Sequence, residues 1–432
     1  MRFLTTSLLF FLSPVFAQTA PQSAAPPPKI TLHDLQEADA LGSQLYTNSS
    51  VTGLVLVVVR GDQVFIRGYG ETAPGSNVAP SAQSVIRLCS LTKIFTTDVL
   101  TKLAADGTVR LDDPLQKYAP QGVHVPEKDA PITLVDLATH TSGFDREIGT
   151  APRHTPHFTY PDYATRWQWL PTAQLKFTPG TQAWYSNIGY DLLSDALASA
   201  AHTSYPALLW SRTLKPLGMW ETTFYPSDAQ CARLMRGPHN EGPCTVTENT
   251  DGSSGLYSTP EDMAKWLRYL AGPSTPAWAA QSDAAHAVYK LTSSLKQMFG
   301  LNHAGKPAGI GLGWMHLGAN DDPSHIIEKT GGGAGFTTYI AIHPASHTAL
   351  FVAATDGPPH APTQGPGIFR ASTDGLLALA GLPPLPERQA KRIPRRRNPH
   401  AAAPVHARRP VANEHAARAA QPRAAKSKPS AQ

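Results

Sequence analysis

The sequence predicts an α/β (α+β) fold in which helices flank an antiparallel sheet and a mainly helical region is inserted between the two parts of that sheet. Runs of β-branched residues occur near both ends of the chain, at 51–70 and again at 309–356, as expected for strands. Sheet elements at both ends favour a single layer built from both termini. We expect the α/β part to comprise about 30–105 and 290–386, and the helical part about 106–289.

The first folded elements are predicted to be a helix and a β-hairpin. The spacing of leucine and alanine in TLHDLQEADALGSQLYT is helical. The next segment, VTGLVLVVVRGDQVFIRGYG, contains two strand-like runs joined at Arg60-Gly61-Asp62, which is a typical turn signal. Further helices are predicted in IRLCSLTKIFTTDVLTKLAADG and, near the end of the second sheet region, in GIFRASTDGLLALAG.

The N-terminal segment differs in composition from the body. Residues 1–17 have one positive charge, a short apolar run and small residues before Gln18, which predicts a cleavable signal peptide. The apolar run is shorter than the ~20 residues that a membrane-spanning helix needs. Residues 18–29 are rich in proline and alanine and predict a linker, so we expect the folded domain to comprise residues 30–386. The mature protein is therefore expected to be soluble and exported.

The net positive charge of the chain comes from its C-terminal tail. Of 37 basic and 32 acidic side chains, twelve Lys or Arg and one acid lie from Arg388 onward. Residues 1–387 hold the remaining 25 basic and 31 acidic groups, a balance of −6. We predict no nucleic-acid partner and a disordered tail over residues 387–432. The tail suits either contact with anionic cell-envelope polymers or lipid headgroups, or solubilisation alone.

The prediction of catalytic residues rests on three short motifs: Ser-x-x-Lys, Tyr-x-Asn and Lys-Thr-Gly. The first two each occur twice, so neither is strong evidence alone. The second copies are Ser293/Lys296 and Tyr46/Asn48. Only one choice of copies places the motifs in this order along the chain: Ser90/Lys93, Tyr185/Asn187 and Lys329/Thr330/Gly331.

The first motif suits a nucleophile and its base. A spacing of three on a helix puts the Ser90 hydroxyl and the Lys93 amine on one face, a single turn apart. A helix that starts near Ser90 would direct backbone N–H groups and the positive end of its dipole at the reacting oxygen. Lys93 is useful as a base only if its pKa lies well below the ordinary value. We expect burial or a nearby cation, for which Lys329 is a candidate, to lower it.

The other two motifs suit a phenol and a substrate-binding strand. Tyr185 follows a Pro-Gly break and precedes a predicted helix, a position from which a loop can present the phenol to a cleft. The glycines after Lys329 leave room for a substrate backbone to pair as an added strand. Gly332 is the candidate for a second oxyanion donor, with the N–H of Ser90 as the first.

The three cysteines fit an oxidising compartment. We predict a disulfide between Cys231 and Cys244, which bracket a short loop. Cys89 has no partner left and is interpreted as a small buried hydrophobic residue rather than a catalytic group.

The histidines do not predict a metal site. His154 and His157 lack partners at metal-ligand spacing, and there is no His-Glu-x-x-His motif. His140 is interpreted as a structural histidine. We therefore predict neither a metal nor another cofactor.

The three motifs in this order resemble those of the serine hydrolases that include penicillin-binding proteins and class C β-lactamases. Flanking segments closely resemble the AmpH-type D-alanyl-D-alanine carboxypeptidases/endopeptidases; among them are GTVRLDDPLQKYAP, PITLVDLATHTSGF, GLYSTPEDMAKW and EKTGGGAGF. The resemblance covers about residues 45–385. It implies a β-lactamase/transpeptidase-like fold.

The resemblance also implies a function and a role for each motif residue. It implies a periplasmic peptidoglycan hydrolase in which a muropeptide acylates Ser90, while Lys93 and Tyr185 transfer protons. It further implies that Asn187 orients the substrate and Lys93, and that the strand of Lys329, Thr330 and Gly331 binds the substrate, with Lys329 and Thr330 receiving its carboxylate. Penicillins and other β-lactams are expected to acylate the same serine.

Two alternatives stay open at the level of sequence. One is a class C-like β-lactamase or a short-chain esterase on the same scaffold. The other is a non-catalytic cell-envelope-binding protein that uses the basic tail, against which the three intact motifs argue.

Overall fold

The structure is a computed structural model that describes residues 32–61, 63–238, 242–272, 284–358 and 366–385. The predicted signal peptide (1–17), linker (18–29) and basic tail (387–432) lie outside the described residues. Within the ranges that are described, no helix is both long enough and apolar enough to cross a bilayer.

The helices lie mostly between the two sets of sheet strands. In chain order they are α1 (Leu32–Ser49), α2 (Thr92–Ala105), α3 (Leu134–Ala138), α4 (Tyr163–Trp169), α5 (Ile188–Ala200), α6 (Tyr205–Leu209), α7 (Lys215–Leu217), α8 (Asp228–Cys231), α9 (Pro260–Ala271) and α10 (Ile368–Leu379). A 3₁₀ turn, Cys89–Leu91, leads directly into α2.

The strands are concentrated at the two ends of the chain. They are β1 (Gly53–Arg60), β2 (Gln63–Gly70), β3 (Ile86–Arg87), β4 (Ala183–Trp184), β5 (Tyr257–Ser258), β6 (Lys290–Leu291), β7 (Met298–Phe299), β8 (Gly309–Ile310), β9 (Met315–Leu317), β10 (Ile326–Gly333), β11 (Phe336–His343) and β12 (Thr348–Thr355).

Within the described residues, eight strands form one antiparallel sheet in the order β2-β1-β12-β11-β10-β9-β8-β6. The hairpin β1–β2 forms at the predicted turn, and Arg60 pairs with Gln63. The first and last strands pair with each other, with Leu54 opposite Ala354 and Arg60 opposite Thr348. The predicted sheet built from both termini is therefore confirmed.

The sheet is covered on both faces. Alternate residues of β1 point into opposite cores, because side chains of a strand alternate between faces. Val55, Val57 and Val59 belong to the larger core, which includes Trp266 of α9. Leu54, Leu56 and Val58 belong to a second core with residues of α1 and α10. Burial on both faces explains why β1 is apolar at nearly every position.

Two features of the fold differ from the simple sequence pattern. The run GIGLGWMHL forms two short strands, β8 and β9, that pair antiparallel, because Gly313 adopts a left-handed conformation (φ +79°) between them. Short strands also occur inside the mainly helical region. One of them, β4, pairs in parallel with β7 from the C-terminal part, with Ala183 opposite Met298 and Trp184 opposite Phe299. This pairing holds the segment before Tyr185 against the sheet region.

The cysteines occupy two different environments. Cys231 and Cys244 are joined by a disulfide, with their Cα atoms 5.7 Å apart. Cys89 is a free, fully buried thiol. Burial raises the pKa of Cys89 to about 12, so the thiol stays protonated at neutral pH, in keeping with its interpretation as a buried hydrophobic residue.

Candidate active site

Ser90 lies in the turn that opens helix α2. The residue before it, Cys89, has a φ of +52°, a conformation that residues other than glycine seldom adopt. The turn runs straight into the first helical residue, Thr92. Ser90 is only 7% exposed. A hydroxyl at this position lies at the positive end of the helix dipole, which favours negative charge on an oxygen there.

Lys93 is completely buried one turn further along the helix. Its Nζ donates hydrogen bonds to Oδ1 of Asn187 at 2.6 Å and to the carbonyl oxygen of Ser253 at 2.8 Å. Burial lowers the pKa of Lys93 to about 7. The amine is therefore poised to be neutral near physiological pH, as a general base must be.

The lowered pKa of Lys93 was predicted to come from burial or from a nearby cation, and burial is the main cause. The positive charge of Arg146, which the sequence did not indicate, lowers it further. The carboxylates of Asp191 and Glu147 act in the opposite direction and raise it. Lys329 is itself a buried amine, whose pKa is lowered by burial and then by neighbouring positive charges that include Lys93.

Tyr185 brings the three motifs together. Its phenolic oxygen lies 2.5 Å from Oγ of Ser90, within hydrogen-bond distance. Basic side chains lie close to the aromatic ring: Nζ of Lys93 is 4.8 Å from the ring centroid, Nζ of Lys329 is 5.1 Å away, and Cζ of Arg146 is 4.8 Å away. Cations at this distance interact favourably with the ring of a tyrosine. Tyr185 thus contacts the hydroxyl of Ser90 and lies close to both amines.

His140 packs against the ring of Tyr185. Among the described residues, it forms no hydrogen bond with the side chains of the three motifs. Its ring stacks on Tyr185 with centroids 4.6 Å apart, and Nδ1 accepts a hydrogen bond of 3.1 Å from the N–H of Ser186. Burial, together with the positive charges of Lys329, Lys93 and Arg146, lowers the pKa of His140. A neutral, buried ring that supports the phenol fits the predicted structural role.

Asn187 is held by the segment that follows His140. Its backbone N–H donates to the carbonyl oxygen of Arg146 at 2.9 Å, and its side-chain Nδ2 donates to Oε1 of Glu147. The side-chain oxygen is then left to accept from Lys93. These contacts orient the amide, with its oxygen toward Lys93 and its nitrogen toward Glu147.

The third motif lies along β10 beside the nucleophile. Lys329 is 2% exposed and its Nζ donates to the carbonyl oxygen of Thr330 at 3.2 Å. A Cβ added to Gly331 would lie 3.2 Å from the backbone nitrogen of Ser90. This close approach requires a glycine, because a side chain there would push the strand away from the serine.

One edge of β10 is open along this motif. Among the described residues, β9 pairs with β10 only from Ile326 to Glu328, whereas β11 pairs along its other edge as far as Gly333. No strand of the described chain therefore pairs with this side of the stretch from Lys329 to Gly333. An extended peptide can add to such an edge as a further strand. The oxyanion role of Gly332 stays a prediction.

Four residues of the site were missed by sequence reasoning: Arg146, Glu147, Asp191 and Ser253. Asp191 follows Asn187 by four positions on α5, a helical spacing that could have revealed it. It is fully buried, which raises its pKa to about 7. The others lie on loops, where no periodicity points toward the cleft.

A cavity of about 230 Å³ adjoins the site, lined by residues that include Glu147, Asn187, Ser253 and Ser254. In the part of the chain that the structure describes, no group of three or more His, Cys, Asp or Glu side chains is arranged to hold a metal ion.

Comparison with known proteins connects this geometry to a family. Residues 38–374 match the Beta-lactamase family. The chain is 43% identical over 321 residues to the D-alanyl-D-alanine-carboxypeptidase/endopeptidase AmpH of Escherichia coli K12, an alignment that covers 74% of this chain and 83% of the relative.

Solved structures agree with this assignment. A Beta-lactamase/D-alanine carboxypeptidase from Yersinia pestis, complexed with citrate, is 40% identical with a TM-score of 0.74, and the match covers 81% of this chain and 98% of that one. A class C beta lactamase from Rhodobacter sphaeroides is 21% identical with a TM-score of 0.62, over 79% of this chain and 99% of that one. The second likeness concerns the fold alone.

Proposed function

Because the chain belongs to the Beta-lactamase family of serine hydrolases, we propose that it is a periplasmic serine DD-peptidase. It hydrolyses peptidoglycan peptides, as a D-alanyl-D-alanine carboxypeptidase and endopeptidase, through an acyl-enzyme on Ser90. The observation that carries the proposal is the 2.5 Å contact between the phenolic oxygen of Tyr185 and Oγ of Ser90, next to a lysine whose pKa burial lowers to about 7. The name of the Escherichia coli relative supports the substrate class.

Acylation begins with the hydroxyl of Ser90. Its oxygen attacks the carbonyl carbon of the penultimate D-alanine, and its proton passes to neutral Lys93, directly or through the phenol of Tyr185. The N–H groups of Ser90 and Gly332 stabilise the negative oxygen of the tetrahedral intermediate. The C–N bond then breaks, and the same proton is delivered to the leaving amine. The peptide remains bound to Ser90 as an ester.

Deacylation repeats these steps with water. A water molecule attacks the ester carbonyl and gives its proton to the Lys93 and Tyr185 pair. The C–O bond to Ser90 breaks as that proton returns to the serine oxygen, and the shortened peptide leaves with a new carboxylate. No other reactant is needed.

The substrate carboxylate explains why one site serves two activities. A terminal D-Ala-D-Ala and a crosslink from D-alanine to the D-centre of diaminopimelate both carry a carboxylate next to the scissile amide. Lys329 and Thr330 receive that carboxylate, while the open edge of β10 pairs with the backbone of the substrate. Burial lowers the pKa of Lys329, and an incoming carboxylate favours its charged form. A β-lactam carries a similar carboxylate, so penicillins are expected to acylate Ser90.

The periplasmic location rests on the predicted signal peptide, residues 1–17. Export brings the enzyme to the compartment that contains its substrate. Oxidising conditions there also permit the bridge between Cys231 and Cys244.

Digestion of purified sacculi, followed by separation and mass analysis of the products, tests the proposal. We expect loss of terminal D-alanine and cleavage of crosslinks, and covalent labelling of the wild type by a fluorescent penicillin. The Ser90→Ala variant is the control and should do neither. Labelling that persists in Ser90→Ala, or rapid turnover of nitrocefin without release of D-alanine, would contradict the proposal; the second result would favour a β-lactamase.

A further inference from the structure

Arg146 lies at the rim of the active site and, apart from lowering the pKa of Lys93, has no contact with the substrate in the reaction as proposed. Its guanidinium Cζ lies 4.8 Å from the ring centroid of Tyr185, and its side chain is 60% exposed. Its carbonyl oxygen accepts the N–H of Asn187 at 2.9 Å, so the backbone at this position is tied to the second motif. The charge is therefore held beside the reacting groups and remains accessible to a ligand.

The ion pair that Arg146 forms is weak. Nε lies 3.8 Å from Oε1 of the adjacent residue, Glu147, whose side chain is 46% exposed. Exposed pairs of this kind contribute little, because water screens both charges. Glu147 also accepts a hydrogen bond from Asn187, so its carboxylate is shared. A carboxylate of a ligand can therefore compete for the guanidinium, which binds such groups in a bidentate manner.

His303 lies in the loop after β7, and its ring N–H is a second candidate donor to an anion at this rim. The pairing of β4 with β7 and a hydrogen bond of 3.1 Å from the N–H of Tyr185 to the carbonyl oxygen of Phe299 hold this loop beside the phenol. A Cβ added to Gly300 would lie 3.0 Å from Cβ of Tyr185. His303 is exposed, and its pKa is lowered by burial of part of the ring and then by the positive charges of Lys329 and Arg146.

We propose that Arg146 and His303 form a second anion subsite next to Lys329, which receives a further carboxylate on the leaving group. The inference rests on the proposed function, in which Lys329 takes the carboxylate beside the scissile amide. A terminal D-alanine carries only that carboxylate. The stem peptide released from a crosslink carries at least one more, so the subsite favours crosslinked peptides and leaving groups with two carboxylates.

Two matched synthetic peptides test this inference. They share one N-acylated donor ending in D-alanine and differ only in the leaving residue, D-glutamate or D-glutamine, which have similar shapes but different charges. We expect the wild type to favour D-glutamate by about tenfold in kcat/KM, as for a charge-assisted hydrogen bond. In Arg146→Gln this ratio should fall to about one, in Arg146→Lys it should be intermediate, and in His303→Gln it should fall by less.

The ratio of kcat/KM for the D-glutamate peptide to that for the D-glutamine peptide distinguishes direct binding of the second carboxylate from an indirect effect of Arg146 on Lys93. If Arg146 acted only through the pKa of Lys93, its loss would change both peptides equally and leave the ratio as in the wild type. Arg153→Gln, which removes another exposed arginine further along the same segment, is the matched control and should keep the wild-type ratio.

Two kinds of result overturn the inference for different reasons. A wild type that hydrolyses both peptides with no preference, or an unchanged ratio in Arg146→Gln, contradicts the subsite and leaves the proposed function intact. A wild type that releases D-alanine from the same donor ending in D-Ala-D-Ala but hydrolyses neither test peptide also contradicts the subsite alone. A wild type that hydrolyses none of the three peptides overturns the proposed function and the inference with it.

Discussion

Nζ of Lys93 donates a 2.6 Å hydrogen bond to Oδ1 of Asn187, a residue 94 positions further along the chain. The contact joins the first residues of α2 to the residue that precedes α5. The partner is a neutral amide, which accepts the hydrogen bond without the full charge that would hold a proton on the amine. With Asn187 in this position, burial lowers the pKa of Lys93 to about 7, and the following predictions depend on that environment.

Activity should rise with pH through about 7. A lysine with a lowered pKa is protonated, and useless as a base, below that value, and neutral above it. We expect kcat/KM for a D-Ala-D-Ala peptide to increase about tenfold for each pH unit below this pKa and to level off above it. Rates measured between about pH 5 and pH 9, on enzyme shown to be folded throughout, check this. A flat profile across pH 7 would contradict a base with this pKa.

In the pH profile of kcat/KM, the rising part at low pH is called the acid limb. Removing the charge of Arg146 or of Asp191, which act on Lys93 with opposite signs, should move this limb in opposite directions. Arg146 lowers the pKa of Lys93 and Asp191 raises it. The limb should therefore move to higher pH in Arg146→Gln and to lower pH in Asp191→Asn, as measured by full pH profiles of kcat/KM. Arg153→Gln is the control and should leave the limb in place. Movement of both variants in one direction would show that the surrounding charges do not set this pKa.

Tyr185→Phe should impair catalysis while leaving the fold intact. The substitution removes the hydroxyl that contacts Ser90 but keeps the ring that stacks on His140. We expect acylation by a fluorescent penicillin to slow by about 10²- to 10⁴-fold, the usual loss for a proton-transfer group. Thermal unfolding serves as the control and should be nearly unchanged. A variant that is acylated at the wild-type rate would exclude the phenol from proton transfer.

Adjacent glycines of β10 should differ in their tolerance of a methyl group. In Gly331→Ala the new Cβ would clash with Oγ1 of Thr338 and lie 3.0 Å from the carbonyl oxygen of Leu88. In Gly332→Ala the nearest atom is the carbonyl oxygen of Phe336, at 3.7 Å. We expect the first variant to lose about 1–3 kcal/mol of unfolding free energy, as for overpacking, and the second to keep the wild-type value in urea denaturation. Equal losses would contradict the close packing of Gly331 against the serine turn.

Loss of the disulfide should lower stability without abolishing activity. Cys231 and Cys244 close a loop with a sequence separation of 13 residues, for which loop entropy gives about 3 kcal/mol. The double variant Cys231→Ser/Cys244→Ser should lose about this amount in denaturant unfolding. The wild type under reducing conditions should match it, since Cys89 forms no disulfide in the structure. An unchanged unfolding free energy would show that the bridge does not constrain the unfolded chain.

Local patterns were sufficient for much of the fold and for the motif residues. The β-branched runs predict the hairpin at Arg60-Gly61-Asp62, and strand-like runs at both ends predict one sheet built from both termini, which the structure forms by pairing β1 with β12. The order of the three motifs identified Ser90, Tyr185 and Lys329, and the structure places both Ser90 and Lys329 close to Tyr185. Such features can be recognised because each depends on neighbours in sequence or on residue types that the chemistry requires.

The surroundings of those residues were decided only by the tertiary structure. The sequence left open whether burial or a nearby cation lowers the pKa of Lys93, and the structure shows that burial is the main cause and that Arg146 adds to it. It did not indicate that Asp191 would be buried nearby, or that β4 would pair with β7 and hold the loop after β7 beside Tyr185. A pKa depends on desolvation and on distances between charges. Both are set by segments that meet only after folding, so residue types and their spacing determine which groups react, while packing determines when they are charged.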